Sequence, residues 1–276
     1  MKKILIAVAL LAGPAALQAQ ALRTPAPSPT ETFKQEFGLG SIEVSYSRPA
    51  MKGRKVFGDL VPFGKVWRTG ANNATTVTFS DEVKFGGKDV KAGKYGLISI
   101  PGEKEWTLIL TKDLNVTSPS AYNPANDVAR ATATPATLPF DIESFTIMVG
   151  SIKSNSCDLG MMWERTYVGV PITADVDGKV MKQIDDAMNK DTRPYYAAAA
   201  YYFENGKDMA KAKEWADKAV AANPNAYWMS LLNARICAKM GNKADAKKMC
   251  QKTLELATTA KNDDYIKMAN ELMKTL

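Results

Sequence analysis

The residues with the densest chemistry lie between Arg54 and Thr76, in RKVFGDLVPFGKVWRTGANNATT. Arg68 stands beside Trp67 and close to Asn72 and Asn73, with a second arginine at Arg54. An arginine fork with two amides can hold a carboxylate, a phosphate or a sugar, and the indole can serve as a stacking floor. The same residues suit a second role. Gly58, Gly64, Gly70, Pro62 and the two asparagines make the segment a path of turns, because Gly and Asn tolerate positive φ and Pro fixes it. Val56, Phe57, Leu60, Val61, Phe63, Val66 and Trp67 make it too apolar for a flexible linker. A buried path of turns needs side chains to satisfy its backbone, which Arg68, Asn72 and Asn73 can do. Ligand site and architecture both stay open at this point. The wider run has Arg48, Lys52, Arg54, Lys55, Lys65 and Arg68 against Asp59 alone, which reads either as a solvated loop or as a site for an anionic group.

What the sequence lacks narrows the chemistry. There is no histidine in 276 residues. Ser-His-Asp and Cys-His catalysis and the common zinc and copper sites go with it. No GxSxG or SxxK occurs, and the glycines between Gly58 and Lys65 lack the spacing and the Ser/Thr of a phosphate loop. No metal or cofactor is expected. Without histidine, a pair of carboxylates could still hydrolyse a glycan, with Glu43, Asp59, Asp141, Glu143 and Glu164 as the candidates. The three cysteines, Cys157, Cys237 and Cys250, form no CxxC. Cys157 alternates with apolar neighbours and reads as core. Cys237 and Cys250 flank a turn and could form a disulfide in an oxidising compartment, or simply touch as two small core residues.

The elements that must position these residues follow from periodicity. Lys2 and Lys3, the apolar run Ile4 to Leu11 and the small residues Ala19 and Ala21 describe a cleaved secretory signal over 1–21, too short to span a bilayer. Residues 22–36, with Pro25, Pro27 and Pro29, read as a disordered tether. Period-two alternation then predicts strands from Ser41 to Tyr46, Thr75 to Phe79, Val83 to Phe85, Lys94 to Ile100, Trp106 to Thr111, Phe145 to Val149, Cys157 to Trp163 and Val168 to Ile172. Residues 115–139 read as one long irregular crossing. Short strands with regular turn signals indicate an antiparallel β-sandwich or barrel, placed at 37–174.

From 175 the period becomes helical. Ala200, Ala212 and Ala219 recur as Ala234, Ala246 and Thr253, each 34 residues on, which is the tetratricopeptide period. Residues 175–276 therefore read as a tetratricopeptide-like helical domain, closed by a helix from Asn262 to Leu276. The fold class is α+β multidomain, an N-terminal antiparallel β-sandwich followed by a C-terminal α-helical bundle. Of the formal net charge of +7, Lys2 and Lys3 of the leader carry two; the remaining +5 is spread as +2 over 22–174 and +3 over 175–276, so neither part is a basic nucleic-acid domain.

SRPAMKGRKVFGDLVPFGKVWRTGANNATTVTF and KAGKYGLISIPGEKEWTLIL, followed by YNPANDVAR, IESFTI and MMWERTYVGVPI, resemble domain-of-unknown-function family 2911 of bacterial envelope proteins, over roughly residues 37–172. One departure is Thr111, where the family leads us to expect Asn. The resemblance implies a secreted β-domain and brings no catalytic residues, since the family has no assigned activity. A tetratricopeptide-like tail often follows it. The expectation is an exported protein, periplasmic or extracellular, that is a non-catalytic binding or scaffold module. It would have an anionic or sugar ligand on the β-domain, a protein or peptide partner on the tail, and no membrane span. The alternatives are a carboxylate-dependent glycan hydrolase and a purely structural envelope protein.

Overall fold

A computed structural model of the chain describes residues 24–190 and 193–276. The expected leader over 1–21 lies outside them. The chain divides into two compact units, the first ending at Asp175 and the second spanning Val176–Leu276.

The described residues of the first unit form ten strands in two antiparallel sheets. They are β1 (Thr30–Phe37), β2 (Gly40–Ser47), β3 (Thr76–Phe79), β4 (Val83–Phe85), β5 (Lys88–Val90), β6 (Gly93–Ile100), β7 (Trp106–Thr111), β8 (Asp127–Ala133), β9 (Ala136–Gly150) and β10 (Ser156–Thr173). One sheet has the order β1-β2-β3-β6-β7-β8 and the other β5-β4-β10-β9. Their inner faces share one core, from Ile42, Val44 and Val77 on one side to Leu159, Val170 and Ile172 on the other. Alternation decides which residues enter it. In β7, Trp106, Leu108 and Leu110 belong to this core, while Ile109 joins a separate small cluster with Ile98 and Val116.

Three expectations need correction. The tether ends earlier than position 36: TETFKQEF is β1, paired in register with β2 from Thr30↔Ser47 to Phe37↔Gly40. Its exposed Thr30, Thr32, Lys34 and Glu36 alternate with better-buried residues that end in Phe37, so a half-buried strand starts directly after the prolines. The crossing at 115–139 is irregular only as far as Asn126, for β8 and the start of β9 occupy the rest. The two strands expected near the end of the unit are one, β10. A bulge at Glu164, with φ of 54°, lets the strand bend and continue.

The described residues of the second unit form six helices: α1 (Val176–Met188), α2 (Tyr195–Glu204), α3 (Met209–Ala222), α4 (Tyr227–Lys239), α5 (Lys243–Thr259) and α6 (Asp263–Lys274). From α2 onward each helix packs on the next. The small residues that mark the 34-residue offset lie at these contacts, with Ala212, Ala219, Ala234, Ala246 and Thr253 all buried. Asp208, Asn242 and Asn262 cap α3, α5 and α6 by accepting backbone N–H groups of the first turn. Cys237 and Cys250 are buried free thiols, not a disulfide; Cys237 Sγ donates to Asn233 Oδ1 at 3.3 Å. Burial raises the pKa of both thiols, which suits unreactive core positions. No helix among the described residues is long and apolar enough to cross a membrane.

Candidate functional site

The stretch Arg54 to Thr76 carries two of the rings that join the sheets. Phe57 packs edge-on to Trp106 of β7 at 4.9 Å and to Trp163 of β10 at 6.3 Å. Trp67 packs against Phe145 of β9 at 5.0 Å and stacks on Trp163 at 5.9 Å. The segment is therefore part of the core, and its backbone is held accordingly. Val61 N–H donates to Val56 O at 2.9 Å and Gly58 N–H to Val61 O at 3.0 Å, closing a tight turn. Glu164 Oε2 accepts the N–H groups of Val56 and Phe57, each at 3.3 Å. Glu143 Oε1 accepts Lys52 N–H at 2.9 Å, while its carbonyl accepts Met51 N–H and Trp163 Nε1–H. Two of the five candidate hydrolytic carboxylates thus act as caps for this path.

Past Val66 the chain joins the edge of β6. Trp67 N–H donates to Ser99 O at 2.8 Å and Ser99 N–H to Trp67 O at 2.9 Å. Thr69 to Ala74 then leave the sheet in a short loop, and Leu97 N–H bonds Thr75 O beyond it. Two hydroxyl contacts and one indole fasten the loop. Thr75 Oγ1 donates to Thr69 O at 2.6 Å, Thr69 Oγ1 lies 2.9 Å from Ser99 Oγ, and Trp67 Nε1 donates to Gly70 O at 3.1 Å. Thr69 is buried with φ of 56°, a conformation costly for a β-branched residue.

The five residues singled out in the sequence have separate fates. Arg54 is a backbone clamp, with Nε on Met51 O at 2.9 Å and NH2 on Ala50 O at 2.8 Å. Asn72 takes positive φ and donates to Ser28 O at 3.0 Å. Trp67, 9% exposed, belongs to the core and offers no stacking floor. Asn73 is exposed. Trp67 meets Ser99 in a single bridge, and Val66 packs on the Ile98–Ile109–Val116 cluster; alternation along an extended segment puts Arg68 on the Val66 side, away from the indole. The Arg fork and the indole therefore do not share a face, because neighbours in an extended segment alternate. Arg68 is half-buried, and its Nε is a buried side-chain nitrogen without a hydrogen-bond partner, the one such atom found among the described residues.

The loop between β7 and β8 covers the same outer face. Tyr122 packs on the Ile98 cluster and donates to Asp127 Oδ2 at 2.8 Å; Arg130 Nε donates to that oxygen at 2.7 Å and Arg130 NH2 to Tyr122 Oη at 2.7 Å. Asn126 Nδ2 bonds both carboxylate oxygens of Asp113, at 2.9 and 2.8 Å. Thr111, at the position where Asn was expected, donates to Asn126 O at 3.2 Å. These side chains and the Thr69–Thr75–Ser99 hydroxyls were missed by sequence reasoning as a working group. The YNPANDVAR run that contains Tyr122, Asn126, Asp127 and Arg130 was the available signal.

At the far edge Tyr46 donates to Glu31 Oε2 at 2.6 Å and accepts Ile147 N–H at 3.0 Å, while Arg48 joins Glu31 at 2.9 Å. Burial, and then the hydrogen bond to Glu31, push the Tyr46 pKa from 10.0 up to about 12. The folded chain keeps this proton where the unfolded chain releases it. Its contribution is whole below pH 10 and is lost as the pH rises from about 10 to about 12. Urea titrations across that range should show stability falling, with a shallower fall in Tyr46→Phe; equal slopes would refute the assignment.

Taken together, the fold and this site define a two-sheet β-domain with an extended turn segment built into its core, followed by a helical unit. The family described as Protein of unknown function (DUF2911) matches residues 28–172, a little over half the chain, and the chain belongs to that family. No curated protein and no solved structure matches it.

Proposed function

We propose that this protein is an exported, non-catalytic binding module whose β-domain takes an anionic group, a carboxylate or a phosphate borne by a ligand such as an acidic sugar, at Arg68. One observation carries the reading: the buried, unpartnered Nε of Arg68. A buried donor without an acceptor costs about 1–3 kcal/mol, and more on a charged group; Nε itself is out of solvent's reach, so an anion recovers that cost as the half-buried side chain turns to meet it. The hydrogen bonds of Thr69 and Thr75 next to it hold the arginine backbone in advance, which lowers the entropy lost on binding. The hydrolytic alternative has less support, since the Glu143 and Glu164 carboxylates are already engaged by backbone amides. Export rests on the basic, apolar and small-residue order of 1–21.

Protein recovered from the cell envelope, with its first residue just after Ala21, should melt higher in the presence of phosphate or galacturonate than with a neutral hexose. Arg68→Met keeps the stem and removes the donors, and should weaken that binding about 10- to 100-fold, the worth of a charge-assisted hydrogen bond. If Arg68→Met melts above wild type and no anion shifts either protein, the arginine is a tolerated defect and the reading fails.

A further inference from the structure

A second surface lies on the same stretch, apart from Arg68. Between Lys52 and Lys65 the chain folds back on itself, with Leu60 N–H on Lys55 O, Asp59 N–H on Val56 O and Gly64 N–H on Pro101 O. Val56, Phe57 and Val61 enter the core, and the residues between them form an outward tip. Leu60 and Phe63 are 41% and 36% exposed on this tip, with Pro62 also exposed between them. Phe63 is pinned, because its ring lies over Gly58 so closely that a Cβ there would come within 2.8 Å of it. Lys52, Arg54, Lys55 and Lys65 flank the tip along the chain and are all exposed. The ammonium groups of Lys52, Lys55 and Lys65 have no ion-pair partner among the described residues. Asp59 is the acid within the tip, and Glu103 and Glu105 lie with Lys104 in the neighbouring loop that begins at Pro101. Glu143 and Glu164 approach from beneath, where they accept amides of the segment.

The geometry points to a peripheral docking surface for an anionic lipid bilayer, with Leu60 and Phe63 entering the headgroup–acyl boundary and Lys52, Lys55 and Lys65 meeting the lipid charges. Apolar side chains flanked by cations are what such an interface selects, since burial of hydrocarbon and attraction to anionic headgroups add. A soluble anion would use the cations and leave the exposed Leu60 and Phe63 unexplained. The surface does not use Arg68, so it stands or falls separately from the ligand site.

The test is co-sedimentation of the full chain with vesicles of phosphatidylcholine alone and with about 30% phosphatidylglycerol added, at low and high salt. Binding is expected with the anionic vesicles only, and high salt should weaken it. Each lysine near an anionic leaflet changes the partition by a factor of about five, so a Lys52→Ser, Lys55→Ser, Lys65→Ser triple variant should bind about 100-fold more weakly. Leu60→Asp, at an exposed position that the fold does not need, should also lose binding. Circular dichroism and melting confirm that each variant is folded, and Arg68→Met should bind vesicles as wild type does. No binding to anionic vesicles at low salt overturns the proposal. So does full binding by the triple variant. If Leu60→Asp binds undiminished, the attraction is charge alone, as for any soluble polyanion, and the bilayer assignment is wrong.

Discussion

Trp67→Ala should cost the β-domain about 4 kcal/mol, near the upper end for a single truncation. The indole touches Phe57, Trp106, Phe145 and Trp163, so its removal leaves a cavity between two sheets that cannot close without moving both. It also frees Gly70 O, which the indole N–H holds at 3.1 Å. Trp67→Phe separates the two contributions. That variant keeps most of the ring contacts and loses the hydrogen bond, and should cost about 1–2 kcal/mol. Because the chain has two compact units, a single unfolding transition cannot be assumed, and the reading belongs on hydrogen exchange of β6 and β7 amides under urea. In Trp67→Phe the amides from Thr69 to Asn73 should exchange faster while β7 stays protected. Equal protection there would mean that the threonine hydroxyls hold the loop without the indole.

That loop shows what could be read in the sequence and what could not. The segment was legible as a buried path of turns, because its glycines and asparagines permit positive φ and its apolar residues demand cover. Asn72 takes positive φ, as do Gly58, Gly64 and Gly70. Thr69 does so as well, and composition gives no warning of it, since a β-branched residue there is held by contacts that include Ser99, 30 positions away. Arg68 and Trp67 were legible as a notable pair but not as residues on opposite faces. That depended on one bridge to Ser99, which no local pattern specifies.

The larger fold shows the same division. The two-part α+β plan was legible from the change of period near position 175. β1 was hidden by the prolines before it. The long β9 was hidden by Pro139, which a strand tolerates because β9 is the edge of its sheet. β10 looked broken at Glu164, where the chain instead spends a bulge to aim a carboxylate at Val56 and Phe57.

Gly96→Ala should destabilise the β-domain by about 3 kcal/mol, although Gly96 is not in the left-handed region and an alanine meets no backbone strain. The obstacle is space. A Cβ on Gly96 would fall 2.3 Å from Asp113 O and 3.0 Å from the Thr111 methyl. Asp113 has little freedom to retreat. Its N–H bonds Thr111 Oγ1, its carboxylate receives Asn126, and Lys112 N–H bonds Asn126 O at 2.9 Å. The methyl group must therefore push the β7–β8 loop off the sheet, and with it Val116 and Tyr122, which cover Ile98 and Ile109. Uncovering that cluster loosens the face on which Arg68 lies, so anion binding at Arg68 should weaken along with stability. Gly64→Ala is the control. Gly64 has φ of 70° and open space where its Cβ would stand, so it should cost only the conformational penalty of about 1 kcal/mol. If Gly96→Ala proves as mild as Gly64→Ala, the loop is not clamped to β6, and the outer face is free to open in the wild-type chain.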